Sequence, residues 1–202
     1  MKKFIAVAGN MGVGKTSLVE FLHSQYGFEP VYEPYSTNPY LDEFYADMGR
    51  WAFHSQLWFL THKFRLHLEL NENPGTIVQD RTIYEDAEIF ATNLARGGQM
   101  IERDFRTYID LYEGMRRALQ PPDLMIYLRC SVPAIRKRIK RRGRPSEQAI
   151  PVQYLKRLNA LYEEWMGNYK LSPVMVWESD DADYLTHIVD RLEFKRSIER
   201  FL

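Results

Sequence analysis

Short apolar runs alternate along this chain with longer stretches in which apolar positions recur every three or four residues. Phe4–Ala8, Pro30–Tyr32, Thr76–Gln79, Leu124–Leu128 and Val174–Trp177 read as strands, most of them carrying β-branched residues. Helical segments lie between them. One runs from Lys15 to Gly27, and another from about Arg50 to Leu70 carries Leu57, Leu60, Phe64 and Leu68 on one stripe. Asn38-Pro39 predicts an N-cap followed by proline at the first helical position, and Pro151 is expected in that second role again. Ser131, with Pro133 in the first turn, opens the helix that enters a basic stretch. Strands separated by helices require crossover connections, so the pattern predicts a mostly parallel sheet covered on both faces. There are no repeats, low-complexity tracts or linkers. One α/β domain over residues 1–202 is the expectation.

Charge changes this picture in one place. The 202 residues include 27 basic and 27 acidic side chains, yet seven of the nine positions from Arg136 to Arg144 are basic. Without those seven, 20 basic side chains face 27 acidic ones. A nucleic-acid binder spreads positive charge over a face several phosphates long, so one basic element on an acidic protein argues against DNA or RNA. The apolar run at the N-terminus ends after five residues, too short for a signal peptide. No window approaches the roughly 18 apolar residues needed to span a bilayer. The single cysteine, Cys130, allows no intrachain disulfide and reads as a small buried side chain. A soluble, cytoplasmic protein without membrane attachment is expected.

In parallel sheets ligands bind beyond the carboxyl ends of the strands. After the first strand comes GNMGVGKT, comprising Gly9, Asn10, Met11, Gly12, Val13, Gly14, Lys15 and Thr16, which fits G-x-x-x-x-G-K-[ST] and leads into a helix. The glycines let backbone N–H groups wrap a phosphate, and the helix N-terminus adds a favourable dipole. Lys15 can reach the β- and γ-phosphates, and the Thr16 hydroxyl can ligate Mg²⁺. A nucleoside triphosphate is the implied ligand. The second strand ends in YEP, with Glu33, and the third in QDR, with Asp80 and Arg81. A hydroxyl acceptor needs a carboxylate to take its proton and a cation to steady the transferring charge, while Asp80 could instead hold the Mg²⁺. Gln56, Phe59 and Lys63 are spaced to share one helix face, which reads either as a solvent-facing stripe or as an edge that pairs with and stacks on a base.

These pieces, with FYADMGRWAFHSQLWF, DRTIYEDAEIFATNL and RRGRPSEQAIPVQYL, occur in the order found in the deoxynucleoside kinase family, which the sequence resembles over most of its length. The resemblance implies the P-loop kinase fold, a five-stranded parallel sheet with an arginine-rich lid at about residues 136–147. It also implies transfer from ATP, with Mg²⁺, to a deoxynucleoside 5′-hydroxyl. By it, Glu33 is similar to the carboxylate that binds and deprotonates that hydroxyl. Asp80 matches the acid given either the base or the Mg²⁺-organising role, and Arg81 the arginine on the 5′-oxygen. Tyr45 and Glu147 fall where the family holds the 3′-hydroxyl, Gln56 on the base-reading glutamine and Phe59 on a pocket position beside it. Lys63 and Asp86 match a charged pair that thymidine-preferring members lack, which favours deoxyadenosine or deoxyguanosine, with deoxycytidine possible. The stretch between YEP and Tyr45 is shorter than in the animal enzymes, leaving Tyr35, Asn38 and Tyr40 as candidates against the base. Arg138, Arg142 and Arg144 resemble lid arginines over the triphosphate, with Lys137, Lys140 and Arg141 solvated. The segment 178–184 is expected either against the ATP adenine or, at Asp181, as a helix N-cap. A homodimer is implied. A thymidylate-like monophosphate kinase and a nucleotide switch without an acceptor are the competing readings.

Overall fold

The computed structural model describes residues 2–70, 73–148, 150–181 and 187–202, with the side chains of residues 36, 145 and 146 outside that description. Five strands, β1 (Phe4–Ala8), β2 (Glu29–Val31), β3 (Ile77–Asp80), β4 (Leu124–Arg129) and β5 (Val174–Glu178), form one sheet in the order β2-β3-β1-β4-β5. All pairings are parallel, with Val7 opposite both Asp80 and Ile126. β1, β3 and nearly all of β4 are buried, as continuous apolar runs require when helices cover both faces. β5, at the edge, alternates and exposes Val176. β2 begins one residue earlier than the pattern suggested, because Glu29 donates its N–H to the Thr76 carbonyl at 2.9 Å.

α1 (Lys15–Tyr26) starts after Gly14 and stops at Gly27, which is left-handed at φ 68°. A short 3₁₀ turn (Tyr35–Thr37) precedes α2 (Leu41–Ala46) and the long α3 (Met48–Leu70). Asn38-Pro39 does not open α2 as expected. The Asn38 side chain accepts from Tyr40 N at 3.0 Å and donates to Ser55 Oγ at 3.0 Å, so it closes a local turn against α3, and the helix begins at Leu41. After β3, α4 (Ile83–Glu85), a π-helical segment (Asp86–Ala91) and α5 (Thr92–Arg96) follow without a break. Then come α6 (Glu102–Arg116), α7 (Val132–Arg142), α8 (Pro145–Gln148), α9 (Val152–Asn168) and α10 (Ile188–Ile198). Ser131 caps α7 as expected, accepting from Ala134 N at 3.4 Å. Pro151 occupies the N-cap of α9, one position before the predicted one. α10 begins at Ile188 after His187, and residues 182–184, on which the two expectations for the 178–184 segment depend, lie outside the described residues. Among the described residues no helix is long and apolar enough to cross a membrane. Cys130 is buried as expected, and burial lifts its thiol to about 11.

The chain leaves β1 toward β2 and later returns on the other side as β4. The switch in strand order therefore flanks β1, and the carboxyl ends of β1, β2 and β3 open into a common crevice.

Candidate active site

A cleft of about 1090 Å³ occupies that crevice. Met11 to Thr16 line its floor, with Glu33, Asp80 and Arg81 on one side and Arg138, Arg142, Arg144 and Glu147 on the other. The loop depends on its glycines. Gly12 has φ 71°, and a Cβ there would stand 2.8 Å from Cγ1 of Ile139 on α7. Gly9 and Asn10 lie beneath the loop rather than in the cleft. Asn10 ties the loop to α9 by donating to Leu155 O at 3.1 Å and to Asn159 Oδ1. Lys15 is buried and donates to Gly9 O at 2.9 Å and Asn10 O at 3.1 Å. Burial, then repulsion from Arg81, lowers it to about 8 against the pull of Asp80, Glu85 and Glu33. An anion in the loop would raise it again.

Thr16 Oγ1 donates to Asp80 Oδ2 at 2.6 Å, while Asp80 Oδ1 is buried with no hydrogen-bond partner. Two hard oxygen donors with one unused lone-pair face suit Mg²⁺. Among the described residues no group of three or more His, Cys, Asp or Glu side chains could enclose a metal alone.

Arg81 is the one non-glycine residue with positive φ among those described, at 61°. This unusual backbone turns its guanidinium back across the sheet edge, where it donates to both Glu33 oxygens at 3.0 and 3.1 Å and lies 4.4 Å from the Phe90 ring centre. Lys63, fully buried on α3, donates to Asp86 Oδ1 at 2.7 Å and Glu33 Oε1 at 3.3 Å. Burial would raise Glu33, but Arg81, Lys63 and Lys15 outweigh it and hold the carboxyl at about 2. Asp86 is pushed by burial up to about 6 despite Lys63. Burial opposes the Lys63 charge, yet Asp86 and Glu33 together hold its pKa above the ordinary value.

Gln56, Phe59 and Lys63 do share a face, and all three are buried, so the solvent-facing alternative is excluded. They continue inward from Glu33 rather than lining the open cleft. Gln56 Oε1 and Asp86 Oδ2 are buried acceptors with no hydrogen-bond partner. Tyr45 lies by Tyr35, Tyr154 and Glu147, and burial first, then those neighbours, lift its hydroxyl well above the usual value. Glu147, buried, receives Arg142 Nε at 3.1 Å and Arg144 NH1 at 3.4 Å, and Arg144 sits 4.9 Å over the Tyr35 ring. Arg138 behaves differently from the other two lid arginines. It donates to Val13 O at 2.7 Å, to Asp180 O at 3.3 Å and to Ser179 O, tying α7 to the phosphate loop. Lys137 and Arg141, expected in solvent, are exposed but border the cleft, whereas Lys140 is simply exposed.

One residue that pattern reading passed over is Glu85. It is fully buried and accepts from Gly9 N, Thr82 N and the Tyr162 hydroxyl. The available signal was Thr82-x-x-Glu85, the spacing of a capping box.

The profile of the family described as "Deoxynucleoside kinase" matches residues 5–202. The chain is 38% identical over 198 residues to the deoxyadenosine/deoxycytidine kinase of Bacillus subtilis (strain 168), covering 93% of this chain and 90% of that protein. It is 34% identical over 212 residues to the deoxyadenosine kinase of Lactobacillus acidophilus, covering 100% and 97%. Among solved structures, deoxyadenosine kinase from M. mycoides with bound dATP superposes with a TM-score of 0.84 at 30% identity, covering 98% of this chain and 99% of that one. The same enzyme with the products dCMP and dCDP gives a TM-score of 0.85. A triphosphate-type loop facing a carboxylate–arginine pair, on a P-loop kinase sheet that these relatives share throughout its length, makes this chain a member of the deoxynucleoside kinase family.

Proposed function

We propose that this kinase uses ATP and Mg²⁺ to phosphorylate the 5′-hydroxyl of deoxyadenosine or deoxyguanosine, with deoxycytidine as a further substrate. The observation that carries the base preference is the inner end of the pocket. Lys63 already donates to Asp86 and Glu33, and the buried atoms without a partner are two acceptors, Asp86 Oδ2 and Gln56 Oε1, with the Gln56 amide N–H₂ beside the second as a donor. Two unpartnered acceptors favour a base whose exocyclic amino group brings two N–H donors over thymine, which brings only N3–H. Phe59 flanks that position, and Lys63 lies 5.6 Å from its ring centre. The names of the relatives, deoxyadenosine/deoxycytidine kinase and deoxyadenosine kinase, agree with this preference.

In the proposed reaction Glu33 accepts the 5′-hydroxyl proton and Arg81 steadies the same oxygen. A carboxylate held near 2 is a weak base. It suffices where bond breaking to the leaving group runs ahead of nucleophilic attack, because the hydroxyl proton then becomes acidic late in the transfer. Backbone N–H groups from Gly12 to Thr16 cradle the phosphates, whose charge raises the lowered pKa of Lys15. Thr16 and Asp80 would hold Mg²⁺, which when bound neutralises charge between the β- and γ-phosphates. Arg142 and Arg144 close from the opposite side, with Arg138 fixing the base of their helix, and Tyr45 with Glu147 meets the 3′-hydroxyl. The basic run thus serves a triphosphate and not a nucleic acid.

The chain acts as one domain, in the cytoplasm, as a homodimer. Leu68 on α3 and Leu111 on α6, on helices that pack together, are exposed and suit a subunit interface. Light scattering after gel filtration tests the dimer. ADP release with Mg·ATP against dA, dG, dC, dT, adenosine and dTMP tests the activity. Strong rates on dA or dG, weak on dT and none on dTMP are expected; a preference for dT would overturn the reading of Lys63, Asp86 and Gln56.

A further inference from the structure

Of the buried acids at the carboxyl edge, Glu85 is the one the transfer leaves without a task. It lies behind the cleft and not in it. Its Oε1 accepts from Gly9 N at 3.3 Å and from the Tyr162 hydroxyl at 2.8 Å, and stands 3.8 Å from Arg81 Nε. Its Oε2 accepts from Thr82 N at 3.0 Å. Every contact is one in which the carboxylate accepts, so three donors and a nearby guanidinium reduce the penalty of burying it, although burial still holds its pKa above the ordinary value. Arg81 does not need Glu85 for charge alone, because Glu33 already pairs with it through two bonds. What Glu85 does distinctively is touch three elements at once: the first residue of the phosphate loop, the left-handed turn after β3, and α9.

We propose that Glu85, itself held by Tyr162, is a positioning residue that locks the Arg81 guanidinium and the Gly9 peptide in one register. The acceptor oxygen and the incoming phosphoryl group then meet at a fixed separation. The inference rests on the role given to Arg81 above. The geometry encloses the guanidinium on three sides, with Glu33 at its NH1 end, Glu85 at its Nε edge and the Phe90 ring against its face. Arg81 Nε makes no hydrogen bond, so Glu85 holds that edge through charge alone at 3.8 Å, and without it the guanidinium is free to collapse further onto Glu33. A misplacement of about 1 Å between reacting groups can slow a transfer roughly 100-fold.

The test is the single-turnover rate of phosphoryl transfer, normalised to ATP-binding sites, in Glu85→Gln, Tyr162→Phe and the double variant. Glutamine keeps the shape and an acceptor but ends the ion pairing. The rate in Glu85→Gln is expected to fall roughly 10–100-fold with the KM for deoxynucleoside little changed. Tyr162→Phe should lose less, and the double variant should lose less than the product of the two, since both act through one contact. A folded Glu85→Gln that transfers at the parental rate overturns the proposal. If that variant does not fold, a parental rate per ATP site in Tyr162→Phe overturns it equally. Arg81→Lys measured alongside separates the two levels. A parental rate there faults the reading of Arg81, whereas a large loss there with a parental rate in Glu85→Gln faults only the positioning role.

Discussion

Replacing Lys63 by methionine removes a buried cation while keeping a chain of similar length. Lys63 is shielded from solvent, 2.7 Å from Asp86 and 3.3 Å from Glu33, and Glu33 retains Arg81 whereas Asp86 retains no cation. Breaking one side of a buried pair costs about 3–5 kcal/mol. Asp86 can limit the loss by taking up a proton. Its pKa is about 6 with Lys63 present, against an ordinary 3.8, and it must rise further once the cation is gone. Between pH 6.5 and 7.5 Asp86 in the parent is ionised when unfolded and mostly ionised when folded, so this group gives the parent only a shallow slope. The folded variant binds up to one proton more than its unfolded chain, so its stability rises as pH falls, by at most about 1.4 kcal/mol per pH unit. The deficit against the parent is therefore expected to shrink by roughly 1 kcal/mol on going from pH 7.5 to 6.5. It should stop shrinking below about pH 6, where the parent takes up the same proton. Urea denaturation of both chains at each pH measures the difference, from which titrations common to both cancel. Adding Asp86→Asn to the variant should abolish the slope. A deficit under about 1 kcal/mol, or one flat with pH, would refute the claim that Lys63 offsets a buried carboxylate.

Three further outcomes are expected. Glu33→Gln should abolish transfer and leave ATP binding within about twofold of the parent, since Glu33 lies on the acceptor side; calorimetric ATP titration with a turnover assay checks it. Gly12→Ala places a side chain at φ 71° with its Cβ 2.8 Å from Ile139 Cγ1, and the left-handed conformation alone costs about 1–2 kcal/mol. The ATP KM should rise roughly tenfold, since each 1.4 kcal/mol of binding is about a factor of ten. His67 donates Nε2–H to Gln120 O at 2.8 Å, and burial holds its pKa below the ordinary value of 6.5. A base whose folded pKa is lowered contributes stability above 6.5 that is lost as pH falls through it, because the unfolded chain takes the proton first. In His67→Gln the fall in Tm between pH 7 and 5.5 should be smaller than in the parent, and an equal fall would remove His67 as its source.

The sheet and the donor site were legible because their signals are local. Phe4–Ala8 is a fully buried strand read from five consecutive apolar residues, and Gly9 to Thr16 carries its glycines where the backbone needs them. Gln56, Phe59 and Lys63 were harder. Spacing places them on one face, but whether a lysine there meets solvent depends on Asp86 and Glu33, 23 and 30 residues away. That step came from family likeness and not from periodicity. For Glu85 only the capping-box spacing to Thr82 was legible, because its other partners Gly9 and Tyr162 are 76 and 77 residues from it. Arg138 looked like its neighbours in the basic run, and only the approach of Ser179 and Val13 separates its anchoring role from theirs.

The same distinction explains how a chain of zero net charge carries a basic run. Seven like charges within nine residues repel one another, so the helix that bears them is stabilised where counter-charge is supplied. Glu147 supplies one, buried between Arg142 and Arg144. The other charges that face the cleft, on Lys137 and Arg141, have no such partner built into α7. A triphosphate in the loop below them is an anion of the right size and position to complete the balance. In the proposed reaction the run and the glycine loop are two halves of one anion site, joined by the Arg138–Val13 bond, which spans 125 residues.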